Sequence, residues 1–147
     1  MISAFWDASA LIPLCVLEPT TSAAELLATQ HERVVWWGTL VEIRSAIARR
    51  YRSGLLDDVN RRAALGRLIS LCQSETEVAP SYELRELATN LLDQYALRAA
   101  DGLQLAAALT WCQLKPTRRV FICGDLRLAE AATQAGFTVI RPGVTAP

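Results

Sequence analysis

Short apolar runs recur along this chain, separated by stretches long enough for helices, and that alternation constrains the fold more than any other feature. Ile2–Trp6 (ISAFW), Val34–Trp37 (VVWW), Val120–Cys123 (VFIC) and Phe137–Ile140 (FTVI) read as strands, with a weaker candidate at Glu75–Ala79. Runs this apolar have no polar face to turn to water, so each must be covered on both sides. Between them the periodicity changes to that of helices. Ala8–Leu17 reads as a helix stopped by Pro19, and Thr20 or Thr21 opens a second through Thr29. Thr39 opens a helix with Leu40, Ile43 and Ile47 on one face, ending near Gly54; Asp57 or Asp58 opens another to about Cys72. Ser81 starts a helix carrying Leu84, Leu87, Leu91 and Leu92, and an Ala/Leu-rich helix runs from about Ala100 to Cys112. Asp125 opens the last helix, which Gly136 ends after Ala135. Strand–helix alternation of this kind predicts an α/β domain around a mainly parallel sheet. With 147 residues, no repeat and no long linker, residues 1–147 are expected to form one domain.

What is scarce narrows the chemistry. There is one histidine, His31, in TQHER, and one lysine, Lys115, beside Pro116. A Ser-His-Asp or Cys-His enzyme would rest wholly on His31, which is most simply a residue at a helix end. Neither G-x-x-x-x-G-K-[ST] nor G-x-G-x-x-G occurs. Cys15, Cys72, Cys112 and Cys123 are widely spaced among apolar neighbours, form no C-x-x-C, and read as buried reduced thiols of a cytoplasmic protein. No lysine or arginine precedes Arg33, and Asp7 and Pro13 interrupt the opening, so it does not read as a signal peptide. No apolar run is long enough to span a membrane. Any catalysis therefore falls to carboxylates.

Four acids stand apart because small or apolar residues surround them: Asp7 in FWDASAL, Glu42 in TLVEIRSAIARR, Asp101 in LRAADGLQLAAAL and Asp125 in FICGDL. Each has a plain structural alternative. Asp7 and Asp125 precede helices and can serve as N-caps; Asp101 can cap a helix beginning at Gly102; Glu42 can pair with Arg49 or Arg50. Asp7 and Asp125 also follow strands, and open parallel sheets bind ligands at the carboxyl ends of their strands. Carboxylates gathered there repel one another unless a cation joins them. Magnesium suits such a set, preferring oxygen ligands, keeping several waters and needing only one or two direct carboxylates.

These four segments, continued through FICGDLRLAEAATQAGF, closely resemble in order the signature segments of the PIN-domain family, especially VapC-type toxins. The resemblance spans nearly the whole chain. It implies a three-layer α/β/α sandwich around a parallel sheet and cleavage of RNA with Mg2+ or Mn2+. Carried over residue by residue, Asp7, Glu42, Asp101 and Asp125 match the family's acidic quartet, and Ser9 its small polar residue after the first aspartate. It further implies a homodimer and a small cognate antitoxin whose C-terminal part crosses the active site. Gly102 and Gln104 stand where relatives often have Ala and His, and no further acid follows Asp125 at Leu126–Leu128. These departures bear on the metal shell and on any second ion.

Charge gives RNA binding little general support, because the net charge is zero and the pI near 6.6. Locally it is uneven. Residues 44 to 67 hold seven arginines (44, 49, 50, 52, 61, 62 and 67) against Asp57 and Asp58, an excess of five. The segment is either a solvated helical pair or a phosphate-holding rim. The leading expectation is a metal-dependent endoribonuclease acting as the toxin of a toxin–antitoxin pair. The alternative is a PIN-like binding or regulatory protein without catalysis. An aspartyl-phosphate protein fits poorly, since Asp7-Ala8-Ser9 lacks a D-x-D and the lone lysine follows a helix.

Overall fold

A computed structural model describes residues 1–145. Five parallel strands form one sheet in the order β3-β2-β1-β4-β5: β1 Ile2–Trp6, β2 His31–Trp36, β3 Thr76–Val78, β4 Val120–Ile122 and β5 Thr138–Ile140. The chain first builds outward from β1 through β2 to β3. It then crosses back to the other side of β1 for β4 and β5. Right-handed crossovers in opposite directions put their helices on opposite faces. Accordingly α1 (Ala8–Cys15), α2 (Thr21–Gln30), α3 (Thr39–Arg52) and α4 (Asp58–Cys72) cover one face. The other face carries α5 (Tyr82–Gln94), α6 (Ala99–Trp111) and α7 (Leu126–Ala135). The result is a three-layer α/β/α sandwich, as the strand–helix alternation predicts.

Strand periodicity divides the core in two. Ala4, Trp6, Val35 and Ile122 pack under α1, α3 and α4, joined by Leu11, Ile43 and Ile47. Phe5, Val34, Phe121 and Cys123 face α5–α7. Phe5 and Phe121 stack there at 5.3 Å between centroids, and Phe137 leans on Phe121 at 5.4 Å. α6 is buried almost all round, which its alanines permit. A side chain at Gly102 would meet Leu92 at 2.8 Å, so α5 and α6 approach closely and fix where α6 begins.

Several boundaries differ from the sequence expectation. α1 ends at Cys15 rather than Leu17, because Val16 turns extended and Thr21 Oγ1 donates to the carbonyl of Pro13. β2 starts three residues earlier than VVWW and stops before Trp37. The polar His31-Glu32-Arg33 belongs to it because backbone pairing with Ile2, Ser3 and Ala4 holds it in register. His31 is thus buried at the joint between α2 and β2, its Nδ1 against the Leu27 carbonyl at 3.2 Å. No helix of the described residues is long and apolar enough to cross a membrane.

Candidate active site

β1 and β4 are neighbours at the point where the strand order reverses, so their carboxyl ends flank the crevice such sheets use for ligands. Asp7 ends β1 and caps α1, its Oδ2 accepting from the Ser9 backbone N–H at 3.0 Å and also from the Ser9 hydroxyl. The cap alternative is therefore real for Asp7, but it does not exhaust the residue. Only 4% of it is exposed. Burial pushes its carboxyl up to about 6, against the opposing Ser9 hydrogen bonds and with a further upward push from the charge of Asp101.

Ser9 does more than touch Asp7. Its Oγ also accepts from the backbone N–H groups of Gly124 at 2.8 Å and Asp125 at 3.2 Å. One donor and two acceptor positions complete a hydroxyl's capacity, so Ser9 fastens the β1–α1 turn to the β4–α7 turn. Gly124 allows the approach, since a Cβ there would stand 3.1 Å from the Ser9 carbonyl oxygen. Cys123 lies behind, its Sγ 3.9 Å from Asp7 Oδ2 and donating to the Asp125 carbonyl at 3.2 Å. Asp125 caps α7 by accepting from Leu128 N–H at 2.8 Å, and it is exposed.

Glu42 and Asp101 come from opposite faces of the sheet. Glu42 sits in the first turn of α3, half-buried. Its partner is neither Arg49 nor Arg50: Arg49 donates to Ser45 Oγ at 3.3 Å and Arg50 pairs with Glu18. Instead the buried Gln104, on α6, donates its Nε2 to Glu42 Oε2 and to Thr39 Oγ1, the latter at 3.0 Å. Burial, then the charge of Asp7, push the Glu42 carboxyl up to about 7, against the Gln104 hydrogen bond. Asp101 is not the cap of a helix starting at Gly102. α6 begins at Ala99 with Arg98 in the cap position, which puts Asp101 inside the first turn. Its carboxyl is raised by burial and by the charge of Asp125.

Asp7, Glu42, Asp101 and Asp125 line one open cleft of about 670 Å³, together with Ser9 and Arg49. The first turns or caps of α1, α3, α6 and α7 all contribute, so four positive helix ends border a cleft whose side chains are acidic. Burial raises the proton affinity of three of the acids, and the charges of neighbouring acids raise it further. A hard divalent ion would relieve that repulsion, and the donors are all oxygens. Among the described residues no three acid, histidine or cysteine side chains form a ready-made ion cage. The fit is therefore to a hydrated ion with one or two direct carboxylates, not to a closed metal centre.

Reading the sequence missed two features of this cleft. Gln104 stood out there only as a departure from a family pattern; its hydrogen bond to Glu42 spans 62 positions and leaves no local signal. Trp37 read as the end of a strand, yet it lies beyond β2, 56% exposed on the cleft wall.

In sequence the chain matches no family model and no curated protein. Solved structures do share its fold. PAE2754 from Pyrobaculum aerophilum superposes with a TM-score of 0.64 at 18% identity, over 94% of this chain and 89% of that one. FitAcB from Neisseria gonorrhoeae gives 0.62 at 15% identity, over 97% and 98%. FitAB bound to an IR36 DNA fragment gives 0.60 at 15% identity, over 100% and 99%. The likeness is one of fold throughout the chain, and that fold is PIN-like.

Proposed function

We propose that this protein is a metal-dependent endoribonuclease, the toxin of a toxin–antitoxin pair. One observation supports the reading above others: four acids distant in sequence line a single cleft at the strand-order reversal, two of them pushed up to about 6 and about 7. Buried acids kept in mutual repulsion are costly unless the site gathers positive charge. Asp7 and Asp101 would hold Mg2+ (or Mn2+), with Glu42 and Asp125 completing the shell directly or through water. The ion, when bound, supplies activation of the attacking water and neutralisation of charge on the phosphate and leaving oxygen.

The chain's own residues set the stage for that chemistry. Ser9 holds the Asp7 carboxylate in one orientation and ties the two central turns together. Gln104, braced on Thr39, does the same for Glu42. Glu42, whose carboxyl is pushed up to about 7 by burial, is suited to take the proton of the attacking water. Arg49 and the helix N-termini favour the RNA phosphates. The ordered likeness of four segments to VapC-type toxins, on a fold shared with FitAcB, supports a toxin with a small antitoxin partner. The same resemblance implies a homodimer, and the reduced, unpaired cysteines suit the cytoplasm.

The deciding experiment is cleavage of single-stranded RNA by purified protein with Mg2+, with a chelator, and with Asp7→Asn. Metal-dependent cleavage lost in the variant supports the reading. Intact RNA in every condition would leave the inactive binding protein as the better account, and cleavage that survives the chelator would remove the metal.

A further inference from the structure

Of the four tryptophans, Trp6 and Trp36 are buried, yet Trp37 keeps 56% of its surface exposed. It is rigidly mounted. Its backbone N–H donates to the Val78 carbonyl at 3.1 Å, and its ring meets Trp36 edge-on at 6.2 Å and 69°. Gly38 makes that arrangement possible, because a side chain there would fall 2.5 Å from Trp36 Nε1. A lone exposed aromatic needs no explanation. This one does, because it lines the acid cleft together with Val41 and Arg49.

We propose that Trp37 is the base-stacking platform of the site, holding the base of a single-stranded RNA nucleotide while its phosphate lies by the carboxylates. The inference rests on the ribonuclease reading and adds the contact that orients the strand. Stacking needs an aromatic face fixed before the ligand arrives, and the Trp36 contact and the Val78 hydrogen bond provide it. A neighbouring groove shares Trp36 and Leu103 with the cleft and continues to Tyr82, whose ring lies 5.0 Å from the Arg85 guanidinium. Aromatic and cationic groups thus continue away from the acids, the composition that single strands require. An apolar protein segment fits less well, since laying it on Trp37 would cover the acids without neutralising them.

The test is equilibrium binding of a short, mixed-sequence single-stranded RNA to the full chain in Ca2+, which keeps the strand uncut. Trp37→Ala is expected to weaken binding roughly 5- to 150-fold, the value of one stacked base. Trp37→Phe should stay within about threefold, since it keeps an aromatic face. An RNA series with one abasic position moved along it should include a member that binds wild type and Trp37→Ala equally. The melting temperature of Trp37→Ala should match wild type. Unchanged RNA affinity in Trp37→Ala, with cleavage intact, overturns the platform and leaves the ribonuclease standing. The same unchanged affinity accompanied by a smaller sedimenting species assigns Trp37 to a contact between protein chains instead. A wild-type protein that neither binds nor cuts RNA overturns both readings together.

Discussion

Asp7 and Asp125 follow the two strands on either side of the reversal point, and each caps the helix that comes next. Their surroundings differ. Asp7 is sealed between layers with Ser9 and Cys123 against it, whereas Asp125 faces solvent and its bond is an ordinary cap. Capping and chemistry are therefore not rival explanations for an acid at this edge. A cap fixes the carboxylate's position; burial then decides how strongly it demands a counter-charge.

Asparagine at each position breaks the comparison most directly. Asn caps about as well as Asp, so neither Asp7→Asn nor Asp125→Asn should unfold the protein. Asp7→Asn is expected to lower RNA cleavage by more than about a hundredfold, because even groups that only orient a metal ligand cost 10–100-fold. Asp125→Asn should cost less, roughly within that range. Magnesium should raise the melting temperature of wild type by much more than it raises that of Asp7→Asn, since a ligand stabilises only the state that binds it. Equal magnesium stabilisation, with activity kept in Asp7→Asn, would reduce Asp7 to an ordinary helix cap.

Acidity gives the next contrast. Asp7 is raised on folding from 3.8 to about 6, so the folded state binds the extra proton. The stability it contributes is fully present below 3.8 and is lost as pH rises through about 6. Two units correspond to about 3 kcal/mol. Glu42 adds a loss in the same direction between 4.5 and about 7. Denaturant unfolding in chelator should therefore show a less stable protein at about pH 8 than at about pH 5. Asp7→Asn should remove its own share of that slope and leave the share that Glu42 supplies. A flat profile for wild type would mean the cleft's acids find counter-charge without any ion.

The same contrast separates what the sequence shows from what it hides. β1 and β4 announce themselves because strands covered on both faces leave no room for polar residues, and an acid directly after such a strand stands out. Asp101 is visible as an acid among alanines, but its alternative as a cap fails, since α6 begins at Ala99 after Arg98 and nothing in LRAADG marks that start. The start of β2 was hidden for a related reason: His31-Glu32-Arg33 looks like a loop until its pairing with β1 is seen. Gln104 and Trp37 owe their roles to neighbours brought together by the fold, which no local pattern encodes.

Gln104 sharpens the comparison from the α3 side, because it serves Glu42 as Ser9 serves Asp7. Its Nε2 is doubly used, while its Oε1 is buried without a partner. Gln104→Leu removes that orphan acceptor but leaves the buried Thr39 hydroxyl and the Glu42 carboxylate without their donor, so it should cost about 1–3 kcal/mol of stability. Cleavage should fall about 10–100-fold, as when other orienting partners of a site are lost. A large loss of stability with unchanged specific activity would make Gln104 a packing residue only.

The smallest expected effects concern two adjacent arginines. Arg49 lines the acid cleft and bonds Ser45 on its own helix, while Arg50 pairs with Glu18 in the connection between α1 and α2. Sequence alone treats them alike, as parts of one basic stretch. Arg49→Glu should weaken RNA binding and flatten the dependence of log affinity on log salt by roughly one phosphate's worth, about 0.7 for a single strand. Its folding stability should barely move, since the residue is exposed. Arg50→Glu sets a second negative charge against Glu18 and should cost about 1 kcal/mol of stability, with the salt slope of RNA binding unchanged. Measuring both variants by salt titration and by denaturant unfolding gives two independent readouts for each. If Arg50→Glu flattens the salt slope as much as Arg49→Glu, the phosphate-holding surface extends past the cleft along α3 toward α1. If neither variant changes the slope, the basic stretch belongs to the solvated face of the α3–α4 pair, and the helix N-termini remain as the groups that meet the phosphates.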